Sequence, residues 1–150
     1  MVWKLLPPKR IITPLETDEN GNTILRYRLD LYIKKGKVTD YVVQLEKMRS
    51  ELLRQRFKPI VRFNFCHGSF HIDFIDKRGK KYKVFLGKFK NFNEAINYAI
   101  NNIKSEYEKY IKNYEDGLFP NGTSPKEVEK NEKRKKKKKR GRFYRQKANS

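Results

Sequence analysis

The sequence predicts an α+β fold: an antiparallel sheet of about five strands with one long C-terminal helix packed on one face, followed by a disordered basic tail. Three observations predict it. Apolar and polar residues alternate through most of the stretch from Thr23 to Gly87, the pattern of half-buried strands. The period then lengthens to three and four over residues 91 to 117, as an amphipathic helix requires. From Lys126 onward the chain is dense in charge and nearly free of aliphatic side chains, so it lacks the apolar surface that would offset the entropy of ordering.

Residues 1 to 21 read as an N-terminal arm. MVWKLLPPKRIITP is interrupted by Pro7 and Pro8 and has no apolar run of the length a secretory signal needs. In TILRYRLDLYIK, Leu25, Tyr27, Leu29, Leu31 and Ile33 share one face, while Arg26, Arg28 and Asp30 share the other. KKGK supplies a hairpin turn. KVTDYVVQLEK continues with Tyr41, Val43 and Leu45 against Gln44 and Glu46. The next stretch, MRSELLRQR, fits either a short helix or a long charged connection. PIVRFNFC places Val61, Phe63 and Phe65 opposite Arg62, Asn64 and Cys66. After an HGS turn, FHIDFI sends Phe70, Ile72 and Phe74 inward and leaves His71 and Asp73 on the far face. DKRG turns the chain again, and KKYKVFLG sets Tyr82, Val84 and Leu86 against Lys81 and Lys83.

Asn91 followed by Glu94 reads as a capping box, and Gly117 as a C′ stop. Between them, Ile96, Ala99, Ile100, Ile103, Tyr107, Ile111 and Tyr114 form one stripe, which should lie across the apolar face of the sheet. The division is therefore an arm at 1–21, an α+β domain at 22–117, a linker at 118–125 in DGLFPNGTSP, and a basic tail at 126–150.

The formal net charge of the 150 residues is +20. Residues 126 to 150 hold 13 Lys and Arg against 3 Glu, half of that charge. Self-repulsion of this size is most easily tolerated when a polyanion offsets it, and nucleic acid is the first candidate. A single cysteine, Cys66, excludes an intramolecular disulfide framework and suits a reducing, cytoplasmic setting. No segment approaches the roughly 20 apolar residues of a membrane helix, so no membrane partner is expected.

If the strands alternate as read, Arg26, Arg28, Gln44, Arg62, Asn64, His71, Asp73, Lys81 and Lys83 emerge together on the sheet face away from the helix. Two imidazoles beside an arginine suit metal-independent RNA cleavage. One of His67 and His71 would take the 2′-hydroxyl proton and the other would protonate the leaving oxygen. Asp73 would accompany them, and Arg62 or Lys81 would stabilise the phosphorane. The same residues also fit a turn histidine and a hydrogen-bonded surface pair, since two histidines four apart are common without catalysis. Cys66, His67, His71 and Asp73 do not converge as strand residues, and no second Cys or His pair completes a tetrahedron, so neither metal nor cofactor is expected.

In the tail, Lys133, Arg134, Lys135, Lys136, Lys137, Lys138, Lys139, Arg140, Arg142 and Arg145 can neutralise many phosphates, each contributing about −0.7 to −0.9 to the log–log salt slope. Phe143 and Tyr144 can stack on unpaired bases, which favours RNA over smooth duplex DNA. With Arg26, Arg28, Arg62, Lys81 and Lys83 these residues make up the expected nucleic-acid surface.

The order of YVVQLE, FKPIVRF, HGSFHID and NEAINYAINNIKSEYEKYIKNYE resembles a family of small prokaryotic proteins related to the TumE-type toxins of toxin–antitoxin modules. The resemblance covers about residues 24 to 115. It centres on a His-Gly-x-x-His-x-Asp turn, here His67, Gly68, His71 and Asp73 following Arg62. Members commonly have an acidic residue where this chain has Asn64. The resemblance implies a ribonuclease using His67 and His71, with an antitoxin as protein partner. A shorter stretch, FHIDFIDKRGKKYKVFLGKFKNFNEAINYAI, is similar to the three strands and helix of AP2-type DNA-binding domains, which read DNA with the open sheet face.

The leading expectation is an RNA-binding protein that uses its tail and open sheet face, as a component of a ribonucleoprotein such as the ribosome would. A toxin-like ribonuclease and an AP2-like DNA-binding protein are the alternatives.

Overall fold

The computed structural model describes the backbone of residues 6–51 and 54–148, and the side chains of residues 6–49 and 56–140. The chain is α+β, with an open antiparallel sheet of six strands and two helices. The strands are β1 (Lys9–Thr17), β2 (Thr23–Lys34), β3 (Lys37–Glu51), β4 (Arg54–Cys66), β5 (Ser69–Ile75) and β6 (Lys81–Gly87). They lie side by side in chain order, so each is hydrogen-bonded to its sequence neighbour. Helix α1 (Phe92–Glu115) lies over β3 and β4, and α2 (Pro125–Ala148) ends the described chain.

The tight turns follow from local chemistry. β2 and β3 join through Lys35 and Gly36, and β4 and β5 through His67 and Gly68. All four residues have positive φ, between 50° and 75°, the geometry of a two-residue turn whose twist matches the flanking strands. Asp76 shapes the β5–β6 turn by accepting from the Arg78 and Lys80 amides at 3.0 and 2.9 Å. At the start of α1, the Glu94 amide donates to Asn91 Oδ1 at 2.9 Å and the Glu94 carboxylate accepts from the Lys90 amide at 2.9 Å. At its end, Gly117 (φ 81°) and Leu118 donate to the carbonyls of Tyr114 and Asn113, a Schellman motif.

The core is where the two periods meet. Leu25, Tyr27, Leu29, Tyr41, Val43, Leu45, Val61, Phe63, Phe70, Ile72 and Phe74 are buried from the sheet. Ala95, Ile96, Ala99, Ile103 and Tyr110 are buried from α1. At one end Phe65, Phe70, Phe89 and Phe92 stack edge to face or tilted, with centroids 4.9 to 5.8 Å apart, the spacing aromatic pairs prefer.

Four expectations are corrected. The sheet has six strands rather than about five, because Lys9–Thr17, read as part of an arm, pairs along β2 from Lys9↔Leu31 to Thr17↔Thr23. As an edge strand it stays largely exposed and shows little alternation. Pro14 is tolerated there because an edge strand need not donate on its outer side. The described residues of MRSELLRQR are strand, neither helix nor loop. β3 runs on to Glu51 and β4 resumes at Arg54, since cross-strand pairing overrides weak helical propensity; Leu52 and Leu53 lie outside the described residues. The segment read as a linker at 118–125 buries Phe119 against Tyr82, with centroids 5.6 Å apart, and buries Pro120 beside it. Finally, the tail expected to be disordered is helical from Pro125 to Ala148. Its residues are good helix formers, with Glu127, Glu129 and Glu132 near its N-terminus and cations toward its C-terminus, as the helix dipole favours.

Candidate nucleic-acid interface

Register fixes what the uncovered sheet face presents. Reading across the ladders, one row runs Ile12, Arg28, Gln44, Arg62, Asp73, Lys83. The adjacent row runs Arg10, Asp30, Val42, Asn64, His71, Phe85. On the other side of the first row stand Pro14, Arg26 and Glu46. Arg26, Arg28, Gln44, Arg62, Asn64, His71, Asp73, Lys81 and Lys83 therefore do share the face opposite α1, and alternation alone was enough to place them.

What alternation did not reveal is how far those cations are already engaged. The Glu46 carboxylate is buried and accepts from Arg26 Nε at 2.8 Å, Arg28 Nη1 at 3.0 Å and Gln44 Nε2 at 2.6 Å. Asp30, equally buried, accepts from Arg10 Nε and Nη2 at 2.9 and 3.2 Å and lies 3.3 Å from Arg28 Nε. Gln44 Oε1 in turn accepts from Arg62 Nε at 2.6 Å. One connected network thus crosses β1 to β4. Arg26 also lies over the Phe57 ring, 3.6 Å from its centroid, a cation–π geometry. Sequence reasoning missed Arg10, whose strand was read as an arm, and left Asp30 and Glu46 out of the surface although it had set them on the polar side of their strands. The available signal was Glu46 standing two residues from Gln44, hence on the same face as the arginines.

Toward β5 and β6 the network is open. Asp73 is 3% exposed and accepts from Asn64 Nδ2 at 3.0 Å through one carboxylate oxygen. Its second oxygen, Asn64 Oδ1 and His71 Nδ1 have no hydrogen-bond partner among the described residues. The His71 ring meets Phe85 edge to face at 5.9 Å, and Phe85 is 59% exposed. This corner therefore holds buried, unpartnered polar atoms beside an exposed ring, with Arg62 and Lys83 as the register neighbours of Asp73. Buried acceptors of this kind are costly unless a donor reaches them.

The structure brings Arg62, His71 and Asp73 onto one face and leaves His67 elsewhere, exposed at the tip of the β4–β5 turn. The two imidazoles share no hydrogen bond. Among the described residues no group of three or more His, Cys, Asp or Glu is placed to hold a metal ion, and no helix is long and apolar enough to cross a membrane. Lys133 to Arg140 are eight consecutive exposed cations on α2. The side chains of Arg142, Phe143, Tyr144 and Arg145 lie outside those described.

A six-stranded meander, covered by a helix on one face and carrying an arginine–carboxylate network on the other, defines an α+β domain with a built polar surface. Residues 8–120 match the family described as "Domain of unknown function (DUF7718)", and the chain belongs to it. The matched span opens just before β1 and closes on the buried Pro120, and α2 lies beyond it. No curated protein and no solved structure matches the chain.

Proposed function

We propose that this protein binds RNA through α2 and the open corner of its sheet face. The observation that carries the reading is α2. Eight successive cations leave the helix no apolar stripe from Lys133 to Arg140, and a helix polar all round needs something other than a core to stabilise it. The run spans about 12 Å at 1.5 Å per residue. Its root is fixed: Val128 packs against the core and Lys80 is ion-paired with Glu129. A cationic rod thus leaves the domain from a base that touches it, and phosphates would relieve its self-repulsion. RNA is favoured because the exposed Phe85 ring beside His71 suits stacking on an unpaired base, which single-stranded and looped RNA supplies. A place within a ribonucleoprotein follows naturally.

The test is binding of a structured RNA and of duplex DNA across a salt series, by the parent and by a variant with Lys135, Lys136, Lys137, Lys138 and Lys139 all replaced by Gln. The parent is expected to prefer RNA, with a log–log salt slope of about −3 to −6 if half to all of the eight cations engage phosphates. The variant should lose at least half of that slope. A flat salt dependence, or equal binding by the variant, defeats the reading. Enrichment of one duplex DNA sequence from a random pool would support the AP2-like alternative instead.

A second reading, a toxin-like ribonuclease, is favoured by Arg62, His71 and Asp73 lying on one face with His71 Nδ1 unpartnered. It predicts growth arrest on expression, relieved by His71→Ala. Because His67 sits at the turn tip, His67→Ala separates the two-histidine mechanism from a single-histidine one. Persistent arrest in both variants removes the enzyme reading.

A further inference from the structure

Away from the open face, the long β3–β4 hairpin brings like charges together on the α1 side of the sheet. Lys47 stands directly opposite Lys58, and two residues on Arg49 stands opposite Arg56. Directly opposed like charges destabilise a ladder. Here two such pairs follow in succession. Glu115, at the C-terminus of α1, is the carboxylate within reach, and it is ion-paired with both Lys47 and Lys77. Among the described residues, Arg49 and Lys58 have no ion-pair partner.

These cations border a cleft of about 360 Å³ lined by Lys47, Arg49, Lys58, Lys77 and Tyr114 with Glu115. A second hollow adjoins it, sharing Lys58, Lys77 and Tyr114 and adding Arg62, Arg78 and Lys81, with Asp76 as its carboxylate. The cleft itself thus sets four cations, Lys47, Arg49, Lys58 and Lys77, against one carboxylate, Glu115, and shares Tyr114 with the hollow that meets the open-face residues Arg62 and Lys81. The negative end of α1 does little to oppose an anion here, because the amides of Gly117 and Leu118 take up its terminal carbonyls. α2 is rooted close by through Lys80 and Glu129, on the same β5–β6 turn that supplies Lys77, Arg78 and Lys81.

We infer that this cleft is a phosphate-binding site for a nucleotide unit of an RNA strand, its phosphate held by Lys47, Arg49 and Lys58 and its base resting on Tyr114. These cations line a hollow whose volume of about 360 Å³ lies in the range of small-ligand sites. Repulsion between the opposed cations is the strain that the ligand would relieve. The inference rests on the RNA-binding reading for the source of the nucleotide and on the cleft for its chemistry.

The decisive variant is Lys58→Glu, which sets a carboxylate opposite Lys47. Its fold should keep or gain thermal stability, while an anion loses its seat. The full chain, this variant and the five-Gln variant of α2 are each titrated with adenosine 5′-monophosphate, followed by the NMR shifts of the Tyr114 ring, and with a labelled 12-nucleotide single-stranded RNA, followed by anisotropy. Lys58→Glu should weaken both probes at least tenfold with no fall in Tm. The five-Gln variant should weaken the RNA alone. Unchanged binding of both probes by Lys58→Glu overturns the cleft and leaves the RNA reading to stand on α2. Mononucleotide binding without RNA binding keeps the cleft, assigns it to a free nucleotide and removes the RNA reading. A parent chain that binds neither probe overturns both.

Discussion

Glu46 concentrates three donors on a carboxylate that solvent barely reaches. Such a group is stabilising only while its partners are in place, since desolvation of the charge is offset by those bonds alone. Glu46→Ala strands Arg26, Arg28 and Gln44 together, and is expected to lower the unfolding free energy by about 3 kcal/mol in urea titration. Tyr41 presents the reverse case. Its side chain is fully buried and its hydroxyl has no hydrogen-bond partner among the described residues. Tyr41→Phe removes an unsatisfied polar atom and keeps the ring, so it should raise stability by about 1 kcal/mol in the same measurement. Residues were legible in proportion to how far alternation determines them. Arg28, Arg62 and His71 could be placed by counting in twos. The partners of Glu46 could not, because they depend on how β2 aligns with β3.

Among the elements, β2 to β6 and α1 were legible because each has an apolar face buried against another. β1 was not: an edge strand is held by its ladder to β2 and shows little pattern of its own. The β3–β4 extension was hidden for a related reason: Lys47, Arg49, Arg56 and Lys58 occupy the alternate positions where an apolar face would otherwise show. In α2 the balance between helix and coil lies in charge placement. Glu129 and Glu132 precede Lys133 and Lys136 by four residues, and the Glu129 carboxyl is held below the usual carboxylate range, first by Lys80. A chain with Glu127→Gln, Glu129→Gln and Glu132→Gln loses these pairs and the acidic complement to the dipole. Its mean-residue ellipticity at 222 nm in low salt should be weaker than the parent's, and added polyanion should restore it. An ellipticity equal to the parent's would show that these carboxylates have no part in holding α2.

At the scale of the whole molecule, two buried phenols set an alkaline limit. Burial pushes the Tyr110 hydroxyl up to about 12 and raises that of Tyr41 well above its ordinary range. A phenol is neutral when protonated, so the folded state holds these protons more tightly than the unfolded chain. The resulting stability is complete below pH 10, where both states are protonated, and is lost as pH rises from 10 toward 12. Denaturant midpoints should therefore stay level through pH 9 and fall above 10, and Tyr41→Phe should flatten that fall. A midpoint that declines equally in the variant would place the alkaline loss in other groups.

The meander has one more consequence, for the growing polypeptide. Because spatial order equals chain order, every strand finds its neighbour through a short loop, and contacts of small sequence separation form quickly. The sheet is complete at Gly87, whereas the helix that shields its greasy side spans Phe92–Glu115. During synthesis there is an interval in which a finished β-surface of Leu, Val, Phe and Tyr is naked. Chaperones or self-association would act on the chain at that stage, before the cationic arm has been made.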